Sequence, residues 1–418
     1  MVSKIDSAVK GSKPTRRQSA TSLWKWEAAI ARGEPKGSLP KWKVWIFRVL
    51  TAGIIGVVCL LSGEVLVRIV APQNLSGTWF ERSARGNDIN KANWKSRQQF
   101  GDRIVVYRIN DFHLRGGPIG AGTNRVLCVG DSFTFGWLLD ETNTFVYKLN
   151  QFAARDFPVG TFAFLNGGVG GWGTADYVAF VEDFGAKIHP SAIVVFLNND
   201  DVERSVRSGL FRLDTKNADW ITPTKPNVPG AGLRDIFRSF GLYQWTLEHS
   251  QLIQFFRVAV RAEINQTRRK DPLNHPTDTD PEPGVRLVEA LFLRLRQWCL
   301  DHDCRLFVVT TGFQAFPDYP LGRADGAANK KFSDEAPQFF ATNGIAFHDI
   351  GPEMFRIAQG DHSRLVIRNE YHPNEYGSEV IATLTWKWLR PRLRQMLDTQ
   401  GQRPENYPPM QTQSTASF

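Results

Sequence analysis

The chain has 418 residues, 42% of them apolar, which is enough for one large globular domain with accessories or for two domains. Its formal net charge of +9 would, if spread evenly, point to a nucleic-acid surface. The excess is local: residues 1–48 hold eleven basic residues against three acids, so the rest of the chain is nearly neutral and a general nucleic-acid surface is excluded.

Residues 1–43, rich in Ser, Lys, Gly and Pro, read as a basic, disordered cytoplasmic tail. Val49 to Gly63 carries no charge, and apolar residues extend that stretch over 44–71. A span needs roughly 20 residues, which 44–71 supplies if Arg48 snorkels and Glu64 pairs with Arg68 at the outer interface. Trp42 and Trp45 suit an interfacial belt. The alternative is a buried helix of a soluble domain. A cleavable signal peptide fits poorly, because the basic region is long and no small-residue cleavage site is clear. Lys and Arg before the span place the N-terminus inside and the bulk of the chain outside, as a single-pass signal anchor.

Residues 72–122 are polar and interrupted by Gly101, Gly116, Gly117, Gly120 and Gly122, so they read as an outer linker and lead-in. A main domain is expected over 123–397, followed by a flexible tail over 398–418. Within it, Val126 to Val129 reads as a buried strand, and Phe133 to Phe152 as helical. A strand over 161–166, a helix over 175–186 and a strand over 192–197 follow. An insertion spans roughly 202–282, with a helical stretch near 242–264 and a turn-rich segment near 270–283. A helix over 285–301, strands over 305–310 and 345–350, and a closing helix from Glu375 to about Arg390 complete the pattern. Pro391 is expected to end or kink that helix. Alternating helices and short apolar strands imply α/β architecture, a parallel sheet covered on both faces.

Four stretches carry chemistry. Gly130-Asp131-Ser132 lies where the first strand turns into a helix, a geometry that lifts a hydroxyl to the rim of a sheet and frees the Ser132 N–H for an oxyanion. Helix capping by Asp131 and Ser132 is the alternative. Asn166 to Gly173 contains five glycines and a formal G-x-G-x-x-G at Gly168, Gly170 and Gly173, which would suit a dinucleotide. The same glycines can instead bring a backbone N–H into a pocket. Asn198-Asn199-Asp200 sits at the carboxyl end of the third strand, where ligands bind in open parallel sheets and a neutral amide can donate to an oxyanion; Asx-turn chemistry is the alternative. His372 lies in a turn that opens a helix, with Glu370 two residues before it and Asn369 three. His113, His189, His249, His275, His302, His348 and His362 have no partner at telling spacing, and no metal-site spacing occurs.

In this order, and over about 120–395, Gly130-Asp131-Ser132, the Asn166–Gly171 run, Asn199-Asp200 and His372-Pro373-Asn374 resemble the four motif blocks of the SGNH, or GDSL-type, hydrolases. An anchor followed by such a domain is similar to membrane-attached bacterial members. The resemblance implies a three-layer, flavodoxin-like α/β/α domain and a serine ester hydrolase or acyl transferase without cofactor or metal. It implies Ser132 as nucleophile, His372 as general base, and an oxyanion hole from the N–H groups of Ser132 and Gly171 with the Asn199 amide. It also places the domain on the periplasmic side of the bacterial inner membrane, with that membrane and an acylated glycan or lipid as partners and no nucleic acid. The chain departs from the pattern at Leu197, where the third block has glycine, and at Asn369, where the family has an acid. An amide orients an imidazole without stabilising its charge. Glu370 is therefore the expected orienting carboxylate, with Asn369 as the alternative.

Three readings follow: an envelope-facing ester hydrolase, an acyltransferase accessory for polysaccharides, or a non-catalytic carbohydrate-binding protein. Of the cysteines Cys59, Cys128, Cys299 and Cys304, the last two flank a helix-to-strand turn and could form a disulfide outside the cell. Two buried thiols are the alternative.

Overall fold

The computed structural model describes residues 40–120, 124–198, 200–214, 221–226, 231–269, 280–319 and 327–401. The expected tails fall mostly outside these residues, as do Asn199 and most of the expected turn-rich segment. The chain forms two units, residues 1–63 and 64–418. Helix α1, Lys41–Val70, has thirty residues and no buried side chain, and its last turns from Glu64 belong to the second unit. At 1.5 Å per residue it is about 45 Å long. It is long and apolar enough to cross a membrane.

The second unit begins with two hairpins, β1 (Phe80–Arg82) with β2 (Asp88–Asn90), and β3 (Trp94–Phe100) with β4 (Arg103–Ile109). These correct the expected linker over 72–122. Strand β4 alternates, with Val105, Tyr107 and Ile109 buried and Ile104 and Val106 exposed. The inward residues of β3 are Ser96 and Gln98, which pair with each other at 3.0 Å, so the strand carries no hydrophobic alternation to read.

The domain then follows the α/β pattern: β5 (Asn124–Gly130), α2 (Ser132–Phe135), α3 (Phe145–Asp156), β6 (Phe162–Gly168), α4 (Thr174–Ile188) and β7 (Ala192–Leu197). The insertion contributes α5 (Asp201–Ser208), β8 (Phe211–Leu213), β9 (Ile221–Pro223), α6 (Ala231–Ser239), α7 (Gly241–His249) and α8 (Gln251–Arg269). After it come α9 (Glu282–Asp301), β10 (Arg305–Thr310), α10 (Ala327–Thr342), β11 (Ala346–His348), α11 (Gly351–Ala358) and α12 (Glu375–Gly401). The central sheet is parallel, in the order β11-β10-β7-β5-β6. Taking its five strands in sequence, that order is the flavodoxin-like 2-1-3-4-5.

Because side chains alternate along a strand, β5 and β7 serve both faces. Leu127, Val129, Ile193 and Val195 join one core with α4 and α9, while Val126, Cys128, Val194 and Phe196 join the other with α3 and α12. This is the three-layer α/β/α arrangement that the sequence predicts. Helix α12 departs from expectation by running through Pro391. An interior proline costs about 3 kcal/mol, and Leu389, Leu393 and Met396, all buried, offset it by packing on the second core. Cys299 and Cys304 are both buried and free, so the structure holds the thiol alternative.

Candidate functional site

Strand order reverses between β5 and β7, and the crevice at their carboxyl ends is where such folds bind ligands. Ser132 opens α2 directly after β5. Asp131 caps the helix by accepting from the Phe133 N–H at 2.8 Å. The turn is tight on all sides. A Cβ at Gly130 would lie 2.0 Å from Thr134 Oγ1, and one at Gly168 would lie 2.2 Å from the Phe135 nitrogen. Both positions therefore admit only glycine. Asn166 ties β6 to the same turn, donating to the Thr134 carbonyl at 2.9 Å and accepting from the Gly168 N–H at 3.0 Å.

Buried Arg115 holds the far end of α2, donating to the carbonyls of Phe135, Gly136 and Leu139. The first two are C-terminal carbonyls that the helix itself leaves unpaired, and the third lies in the turn after it. Burial pulls its guanidinium down to about 10, against the opposing pull of Tyr107, Glu141 and Asp140. Trp79, Val105, Tyr107 and Ile109, from the folded lead-in, pack on Phe135. The expected linker thus buttresses the serine.

His372 comes from a loop before α12. Its Nε2 lies 2.8 Å from Ser132 Oγ, and its Nδ1 lies 2.5 Å from Glu370 Oε2. The other oxygen of Glu370 accepts from the Trp137 indole N–H at 2.6 Å. The loop is shaped by two left-handed residues, Asn369 at φ 63° and Tyr371 at φ 70°. Asparagine adopts that conformation readily, and tyrosine does so at a cost. Backbone bonds from Glu370 N and Tyr371 N to the Ile367 carbonyl, and from Ile367 N to the His372 carbonyl, close the turn. The Tyr319 hydroxyl donates to the Tyr371 carbonyl. Asn369 is exposed, and the carboxylate on the imidazole is that of Glu370. Turning at Asn369 and again at Tyr371 brings a side chain only two residues away onto Nδ1.

The glycine run passes close to the serine: a Cβ on Gly170 would sit 3.8 Å from Ser132 Cβ. Gly171 is left-handed, φ 83°, with open space where a side chain would stand. Gly173 abuts α5, where a Cβ would come within 2.7 Å of Arg204 Cβ. Close packing on α2 and α5 thus accounts for Gly168 and Gly173, two of the glycines in the formal dinucleotide pattern. Among the described residues, no cluster of His, Cys, Asp or Glu could hold a metal ion.

Beneath the serine lies a buried network that motif reading misses. The second oxygen of Asp131 accepts from Asn198 Nδ2 at 2.8 Å and from Arg204 Nη1 at 2.7 Å. Arg204 also donates to the Trp172 carbonyl at 3.1 Å and pairs with Asp200 at 2.5 Å. Burial works against its charge, but Asp200, Asp131 and Asp201 together hold it above its usual range. One guanidinium therefore fastens the serine turn, the glycine run and the end of β7 together. The only sequence cue is the cluster of aspartates at 200 and 201, three and four residues before it. Asn199 lies outside the described residues.

Chemically, a hydroxyl is bonded to the imidazole that can take its proton, and a carboxylate holds the other ring nitrogen. Ser132 is 9% exposed, so its hydroxyl is largely shielded from solvent but not sealed off. No protein-family model matches the chain. No curated protein matches it either. It is similar to the solved structure of TesA at 14% identity, over 64% of this chain and 99% of that one, with a TM-score of 0.37. It is similar to the acetyl xylan esterase AlAXEase at 12% identity, over 63% and 99%, with a TM-score of 0.38. The esterase EstA from Pseudoalteromonas sp. gives 12%, 65%, 99% and 0.37.

Proposed function

We propose that the chain is a serine ester hydrolase of the SGNH type, anchored in a membrane by α1. The observation that carries this reading is the continuous bonding from Ser132 Oγ through His372 to Glu370. His372 Nε2 takes the hydroxyl proton as Ser132 Oγ attacks the ester carbonyl. The N–H groups of Ser132 and Gly171, with the Asn199 amide, receive the oxyanion. The imidazolium, held by Glu370, then protonates the leaving alcohol, and water repeats the sequence to release the acid. The substrate class is an acyl or acetyl ester of a glycan or lipid. The basic segment before α1 supports an N-terminus inside a bacterial inner membrane and a site on the periplasmic side.

The test is fluorophosphonate labelling of the full-length protein, with peptide mapping and hydrolysis of a panel of acetylated and longer-chain esters. Labelling on Ser132, lost together with hydrolysis in Ser132→Ala, is the expected result. A folded protein that neither labels nor hydrolyses would sink the reading. Acid release without a sugar acceptor is expected. Turnover only when an acceptor is present would make the enzyme a transferase.

A further inference from the structure

Helices α7 and α8 are built inside out. Over residues 241–260 their buried residues are Gln244, Gln251 and Gln254, each 8% exposed or less, and a single apolar one, Leu247, while Leu242, Trp245, Phe256, Val258 and Val260 are each more than half exposed. The glutamines bond inward. Gln244 accepts from Thr78 and donates to Ser96 and Glu248, and Gln254 donates to the carbonyls of Ser76 and Leu247. In water, folding puts the apolar face inward, so helices that turn glutamine in and phenylalanine and valine out are made for an apolar surrounding.

The corner between these two helices is fastened to the end of α1. Glu64 accepts from the Gln251 N–H at 2.9 Å, the Leu252 N–H at 3.0 Å and the Ser250 hydroxyl at 2.8 Å, which caps α8. Arg68 pairs with Glu64 at 2.7 Å and donates to the His249 carbonyl at 2.8 Å. The two helices therefore meet against the last two turns of the apolar helix.

We propose that α7 and α8 lie in the interfacial layer of the membrane that α1 crosses, with their outward faces against lipid. This rests on the anchor reading given above. Lipid, and not a protein partner, is favoured by that fastening: the polar corner of Glu64, Arg68 and the His249 carbonyl would sit at headgroup depth, with aromatic and aliphatic side chains beside it. Amphipathic helices bind membranes in this way, and tryptophan favours that layer.

The test uses the full-length protein in nanodiscs of phosphatidylcholine and phosphatidylglycerol. Cys59 is exposed on α1, while Cys128, Cys299 and Cys304 are buried, so a maleimide dye can be directed to one site. In one sample the dye sits on Cys59. In a Cys59→Ser background it sits on Phe256→Cys, on Trp245→Cys, or on Val159→Cys, a position 89% exposed in the domain. Positions 256 and 245 should react with water-borne maleimide about tenfold more slowly than 159, and their dyes should be quenched by shallow spin-labelled lipid. Quenching of Cys59 by deep spin label without quenching at 256 and 245 would overturn the proposal and leave the anchor standing. Slow labelling at 256 and 245 without lipid quenching would mean that protein covers the face, which also overturns it. Absence of quenching at Cys59 would remove the anchor and this proposal with it.

Discussion

Ser132 and His372 reach the same point by opposite means. The serine stands on a strand-turn-helix in which backbone meets backbone: Gly130 and Gly168 leave no room for a Cβ, and Arg115 closes the far end of the helix. The histidine stands on an irregular loop with two left-handed residues, held by side chains that come from elsewhere, Trp137 and Tyr319. The first turn is rigid because nothing else fits. The second is rigid because separate bonds pin it. Substitutions should therefore fail differently at the two turns: on the histidine side the chemistry goes first, and on the serine side the fold.

The largest effect is expected at Glu370. In serine proteases, changing the orienting aspartate to asparagine costs about 10⁴ in kcat, and Glu370→Gln should approach that fall with KM nearly unchanged. Asn369→Gly, which keeps the left-handed turn, should leave kcat within about twofold. Steady-state kinetics on a soluble ester would show both. If instead Asn369→Gly is the crippling change, the assignment of the carboxylate is wrong.

On the serine side, Arg204→Met should leave buried Asp131, and half-buried Asp200 beside it, without their cation. Breaking such a pair costs about 3–5 kcal/mol, so the denaturant midpoint should drop sharply. A variant that stays as stable as the parent would mean that the network beneath the serine is not what fastens it.

Trp137→Phe removes one hydrogen bond to a carboxylate and keeps most of the ring. Such bonds contribute about 1.5–3 kcal/mol, so kcat should fall roughly 10- to 100-fold while thermal stability changes little. A loss of stability with unchanged kcat would make Trp137 packing alone. The smallest effect is expected at Tyr371. Replacing it with glycine relieves a left-handed side chain but adds freedom to the unfolded chain. Stability should rise by about 1 kcal/mol or less, as read from chemical denaturation.

The two turns also differ in how far the sequence discloses them. Gly130-Asp131-Ser132 after an apolar run is legible because the constraint is local: a strand, a glycine and a cap follow one another in the chain. The strands Ala192–Leu197 and Arg305–Thr310 are legible for the same reason, since each is a continuous buried run. Strand β3 is hidden because its inward residues are serine and glutamine, which bond to each other and to Gln244, Glu248 and the Gly77 carbonyl and bury no hydrophobic side chain. Helix α12 passes Pro391 because distant core residues hold its last turns, which no local rule reports.

By itself, the sequence determines the apolar stretch of α1 and the alternation that makes a parallel sheet covered on both faces, while Ser132 and His372 are singled out by the four motif blocks together. The first two follow from periodicity and charge; the last rests on the resemblance. Only the tertiary structure decides that Glu370 and not Asn369 meets the imidazole, that Trp137 holds Glu370, and that Arg204 binds three separated segments beneath the serine. The physical reason is that these depend on side-chain direction after a turn and on contacts across tens to hundreds of residues, and neither leaves a period in the chain.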